Sequence, residues 1–165
     1  MLQKFRNLLK NEKGLTLIEL LAVVVILGII AAIAIPSIGG LIDNSKKDAH
    51  VANAQQMASS ARLAITGEDK YQTGTWYVSL NYLQANKYIE VLKDPDKTAN
   101  GYKKGTSTKI VGTVAELGTS GDLSYVVVEN GKPTEVLLVN STRGIRGTTA
   151  TDTVSIDSIS RDTVK

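Results

Sequence analysis

Between Glu19 and Asp43 the chain carries no charged side chain. Residues 20–42 form one uncharged run, and its LLAVVVILGIIAAIAI stretch leaves no polar face at any helical period. About 20 such residues are what a helix needs to cross the hydrocarbon layer of a bilayer. A helix that is apolar all round must be surrounded, either by lipid or by other helices. The 165 residues leave room beside it for one domain of ordinary size.

A lone carboxylate opens this run. An acid at the bilayer centre costs about 2.5 to 3.5 kcal/mol on insertion scales. Glu19 stands near the start of the helix, where interfacial water and the helix dipole lower that cost. The formal net charge of +3 sits in the same region: Lys4, Arg6, Lys10 and Lys13 oppose only Glu12, while the charges of residues 15–65 and 66–165 each balance. The excess therefore reports orientation, with the N-terminus cytoplasmic and the rest exported. An electrostatic nucleic-acid footprint would need a surplus in the folded domain. There is no cysteine, which excludes a disulfide framework and thiol chemistry.

The residues fit more than one reading of the N-terminal segment. In a plain signal anchor, Thr16-Leu17-Ile18-Glu19 is a capping box, with Leu15 and Leu20 at the spacing of a hydrophobic staple. In a secretory signal, Ala32-Ile33-Ala34 is the cleavage site and a soluble binding domain is released. The apolar run from 15 to 35 is longer than the usual signal core of about 7 to 15 residues.

A basic leader, Gly14, LTLIELL and an apolar helix with a later proline resemble the class III signal of type IV prepilins and pseudopilins. The resemblance covers roughly residues 10–65. It implies cleavage between Gly14 and Leu15 by a prepilin peptidase, methylation of the new amine on Leu15, and an assembly role for Glu19, which meets the amine of an adjacent subunit. Gly28 matches the helix glycine of that family and Pro36 its stem proline. The implied partners are further copies of the chain, minor pilins, the peptidase, the assembly platform and the cytoplasmic membrane. The implied location is single-pass, N-terminus inside, before transfer to a surface pilus.

Pro36 has no amide donor and clashes with the preceding turn, and Gly39 and Gly40 follow it. This predicts either a helix end at the membrane edge or a kinked, flexible joint, with Gly28 a second weak point. Farther on, Ala54, Met57, Ala58, Ala61 and Ile65 recur at helical spacing among polar residues, so one face is built to pack.

The resulting organisation is a leader at 1–14, an apolar helix at 15–38, an amphipathic half at 39–65 and a head at 66–165 with a polar C-terminal tail. The fold class is α+β, a long N-terminal helix carrying a small antiparallel β-meander on its C-terminal half. Residues 66–75 read as a polar linker and 79–92 as a short helix or turn. The meander is expected from 109–117, 123–129 and 134–140, with a turn at 118–121 and a type I′ hairpin at Asn130-Gly131. Residues 141–165 read as an edge strand near 153–156 or as a mobile tail.

No constellation of catalytic residues is legible, and no cofactor, catalytic residue or metal ligand is assigned. His50 has no second histidine and reads as a solvated residue on the exposed side of the stem. Asp94-Pro95-Asp96 with Thr98 and Asn100 faintly resembles a calcium loop, but lacks its glycine and terminal Glu. A turn is the simpler reading. Lys103, Lys104 and Lys109 beside Tyr102 could touch nucleic acid; in a neutral head they read as a solvated loop. Asn140-Ser141-Thr142 matches a glycosylation sequon by chance. The expected function is that of a structural subunit, a major or minor pilin of a type IV pilus serving adhesion, motility or DNA uptake. The alternatives are a pseudopilin of a type II secretion or competence system and, more remotely, the secreted binding domain.

Overall fold

The computed structural model describes residues 12–118 and 123–165. The expected leader, up to residue 11, and residues 119–121 of the expected turn lie outside the described residues. Two compact units are present, one ending at Asp43 and the other comprising Asn44–Lys165.

Helix α1 (Glu12–Ile65) contains the whole uncharged run. In the first unit its large apolar side chains from Leu17 to Ile42 are each 52% to 72% exposed. By length and composition this helix can cross a membrane. It runs through Pro36, so the expected helix end there is not found. A proline removes one backbone donor. In an apolar helix small local adjustments of the flanking turns re-satisfy the freed groups, and the helix persists.

In the second unit α1 becomes one-sided. Ala54, Met57, Ala58, Ala61, Ala64 and Ile65 are buried, at the spacings of a single helical face. Ser79 then caps a short helix α2 (Leu80–Ala85), its hydroxyl accepting from the Tyr82 amide.

The sheet runs β1 (Thr75–Ser79), β2 (Tyr125–Glu129), β3 (Lys132–Val139), β4 (Gly144–Ile145), with β5 (Val154–Ser155) also paired to β3. All pairings are antiparallel. Together with α1 this is the expected α+β class. Val126, Val128, Val136 and Leu138 face the core built on α1, whereas Tyr125, Val127, Leu137 and Val139 face a second apolar cluster. The period-2 alternation thus explains why YVVV carries no polar face: both faces are covered. Asn130 and Gly131 form the two-residue hairpin loop, with φ of 49° and 76°. Positive φ at both positions is what a type I′ turn requires.

One expected strand is corrected. Residues 109–117 do not form the first strand of the meander; that place belongs to β1, which starts at the last residue of the expected linker and runs through 76–78, for which no element was expected. Val111 makes only an isolated bridge to Tyr77, and Val114–Leu117 is a 3₁₀ turn. The physical reason is the second sheet face. Val111, Val114 and Leu117 turn inward to cover Tyr125, Val127 and Leu137, which an edge strand in the plane of the sheet could not do.

Residues 141–165 are tied down rather than mobile. β5 falls within the predicted 153–156, Ile145 bridges Val164, and Gly144 and Lys165 exchange two backbone hydrogen bonds of 3.0 Å. Gly144 makes this possible: a Cβ there would lie 2.1 Å from the Leu138 carbonyl oxygen.

Candidate functional site

The apolar part of α1 places the expected processing and assembly residues on one helix. Gly14 and Leu15 lie in its first turn, and Glu19 is exposed one turn later. Because α1 begins at Glu12, Thr16 is an interior helical residue and not an N-cap. The Thr16/Glu19 pair thus stands one turn inside the described helix rather than at its first residue. Around Gly28 an added Cβ would meet no atom within 4 Å, so this glycine opens helix surface rather than relieving a contact. Ala32-Ile33-Ala34 lies within the same helix.

A second constellation lies in the Asn44–Lys165 unit, around a histidine read from sequence as solvated. That reading is overturned: His50 is fully buried. Its Nε2 lies 2.9 Å from Asp96 Oδ2 and its Nδ1 lies 2.7 Å from the Tyr102 hydroxyl. The Asn53 amide donates to the same hydroxyl and to the Lys93 carbonyl, each at 3.0 Å. Arg143 grips Asp96 from the other side, Nε to Oδ2 at 2.9 Å and Nη2 to Oδ1 at 2.7 Å. Lys46 stands 3.6 Å from the same carboxylate. The sequence carried a signal for the inward position that composition obscured. Residues 50, 54, 57 and 61 share one helical face, and three of them are core residues.

Local turns aim these groups. Asp94 accepts from the Asp96 and Thr98 amides and the Thr98 hydroxyl, a side-chain-closed turn that presents Asp96 to α1. Asn140 Oδ1 accepts from the Thr142 and Arg143 amides at 2.7 Å, and its Nδ2 donates to Asp94 and Asp96. The sequon amide is thus buried and engaged. The Arg143 guanidinium holds the Asp96 carboxyl far below the ordinary carboxylate range; burial opposes this, and His50 and Asn140 assist it. For Asp94 burial pushes upward, but Thr98, Asn140 and the two backbone amides outweigh it and leave the group lowered. Burial raises the Tyr102 hydroxyl.

His50, Asp94 and Asp96 offer three metal-ligand atoms within 4.8 Å of one another. The chemistry of the donor set argues for protein partners there. Both Asp96 oxygens are committed to Arg143, and both Asp94 oxygens to amides or a hydroxyl. A cation would have to displace a bidentate guanidinium, one of the stronger pairings a carboxylate can make. Asp94-Pro95-Asp96 is a turn, as the simpler reading held. Lys103 and Lys104 line a cavity of about 390 Å³ formed by residues 100–106 with Ser141, while Lys109 is not among its lining residues.

Residues 9–35 match the family model of the prokaryotic N-terminal methylation motif, the class III signal of type IV pilins and pseudopilins. No solved structure matches the chain. The motif and the long apolar N-terminal helix together support a type IV pilin-like or pseudopilin protein.

Proposed function

We propose that the chain is a structural, non-enzymatic subunit of a type IV pilus, stored in the cytoplasmic membrane and polymerised through residues 15 to about 65. The observation that carries this reading is the coincidence of the methylation motif with a helix whose apolar side chains are uncovered on every side. Lipid can cover that surface in the membrane, and the helices of other copies can cover it in a filament, because both present apolar contacts of similar kind.

In this reading the peptidase cuts after Gly14, and the new amine of Leu15 is methylated. The leader charges Lys4, Arg6, Lys10 and Lys13 keep the N-terminus cytoplasmic, and the head lies outside. Glu19 pairs with the Leu15 amine of a neighbouring copy and sets the docking register. Charges of opposite sign attract more strongly in a low-dielectric helix core than in water, and an unpaired one is costly there.

N-terminal sequencing and intact mass of the mature chain test the processing step. The expected result is a start at Leu15, one methyl group heavier than the unmodified peptide. A start at Ile35 overturns the assignment in favour of a released soluble domain. Electron microscopy of sheared surface fibres, with the chain as their main component, then separates a pilus subunit from a pseudopilin confined to the envelope.

A further inference from the structure

We propose that residues 90–92, with the cavity beside the end of α2, take an extended peptide segment of a partner protein by main-chain pairing. Helix α2 closes with two bonds: the Tyr88 amide donates to the Leu83 carbonyl at 2.9 Å and the Lys87 amide to the Gln84 carbonyl at 3.3 Å. The chain then runs outside any helix or strand to the 94–98 turn. Both ends of this stretch are fixed. Ile89 is buried and its amide also donates to the Leu83 carbonyl, at 3.3 Å, while the Lys93 carbonyl accepts from Asn53 on α1 at 3.0 Å. Between these anchors the backbone N–H and C=O groups of Glu90, Val91 and Leu92 make no hydrogen bond among the described residues. A row of unpaired backbone groups held at both ends is a template for strand addition, and its fixed ends lower the ordering cost of binding.

The side chains around this row define the partner. A cavity of about 620 Å³ is lined by Gln84, Lys87, Ile89, Glu90 and Val91. Ligand sites span roughly 300 to 1,000 Å³. Val91 is 70% exposed, more than any other large apolar residue described in 44–165, and offers an apolar side chain a contact in the cavity. Gln84 Nε2 is buried without a hydrogen-bond partner among the described residues. An unpaired buried donor is disfavoured, and a side-chain amide, with one donor end and one acceptor end, is the complement of a peptide group. The rim carries both signs of charge. Lys87 has a φ of 65°, at the position where helices that end in this way usually have glycine, so a cationic side chain is kept there against a steric cost. Glu90 follows three residues later. A lone anion would meet Glu90 and a lone cation would meet Lys87; a segment with an apolar residue between one acid and one base satisfies both.

The probes are synthetic heptapeptides capped at both ends, with a central Val or Leu between one Asp or Glu and one Lys or Arg. They are titrated into the nitrogen-15-labelled full chain in lipid nanodiscs. The expected result is a set of shifts confined to the Gln84 side-chain amide and the backbone amides of residues 87–92. Hydrogen-exchange protection of the Glu90, Val91 and Leu92 amides should rise about tenfold at about ten times the dissociation constant. Methylating the central peptide nitrogens removes the main-chain donors and should abolish binding. Val91→Asp should weaken binding about tenfold or more; unchanged β2 and β3 amide signals verify that its head is folded. No binding by any of these peptides at millimolar concentration, undiminished binding of the methylated peptides, or equal binding by folded Val91→Asp overturns the assignment.

Discussion

His50 and Asp96 are 46 residues apart in the chain and 2.9 Å apart in space. One belongs to the stem helix and the other to the turn after α2, so their contact closes a loop that neither β1 nor β2 closes. Asp96 also receives Arg143, which ties the 140–143 turn to the same point. Three segments distant in sequence thus meet at one carboxylate.

Arg143→Ala should lower the unfolding free energy of the head by about 3 kcal/mol, because it leaves the half-buried Asp96 with its main counter-charge gone. Arg143→Lys should recover only part of the loss, since an ammonium cannot make the bidentate contact. Chemical denaturation of the full chain in micelles, followed by tryptophan fluorescence of Trp76, measures both. Equal stability of all three proteins would refute the pairing as a stabilising element.

Acid should unfold the head through Asp96 and Asp94. Both carboxyls are held below their ordinary values in the folded state. A depressed folded value means that the stabilisation is present above the unfolded value of about 3.9 and is lost as pH falls from there toward the folded one. Melting temperature should therefore decline below about pH 4, and the decline should be shallower in Asp96→Asn, which no longer titrates there. An unchanged acid slope in that variant would count against the assignment.

Gly144→Ala should destabilise by about 3 kcal/mol, as overpacking against backbone does when no side chain can move aside. The added Cβ would come 2.1 Å from the Leu138 carbonyl and 2.5 Å from Val139 Cα. Increased exchange of the Gly144 and Lys165 amides, which pair across this point, would localise the effect.

Glu19→Ala bears on assembly rather than folding. Its side chain is exposed on the first unit of the chain, so the head should melt unchanged. Processing after Gly14 should continue, while incorporation into filaments should drop by about tenfold or more if the lost pair is worth at least 1.4 kcal/mol in the filament core. Filaments of normal length built solely from Glu19→Ala would remove the docking role. Gly14→Ala should instead leave uncleaved precursor in the membrane.

Much of the architecture was legible in the sequence because periodicity and turn chemistry are local. The apolar run, the inward face from Ala54 to Ile65, the Asn130-Gly131 hairpin and β5 each follow from neighbours within a few residues. The strand at 75–79 was missed despite Trp76, Tyr77 and Val78, because so short an apolar run between a polar linker and a helix carries too little period to announce a strand. Residues 109–117 have strand-like composition but are spent covering the second face of the sheet, a tertiary demand no local pattern announces. The polar cluster was hidden for a related reason. A single histidine beside Asp48 and Lys47 looks solvated until Asp96, Tyr102 and Arg143 arrive from elsewhere in the chain.

Among the described residues, part of each border of the sheet is already paired. Tyr77 exchanges bonds with Val111 outside β1, and β4 is flanked by Val164 and Lys165. An unpaired border is where one folded chain can capture a strand of another. Where Tyr77 and Gly144 are paired in this way, no open strand edge is left for another chain to capture. The apolar half of α1 is the surface that stays uncovered.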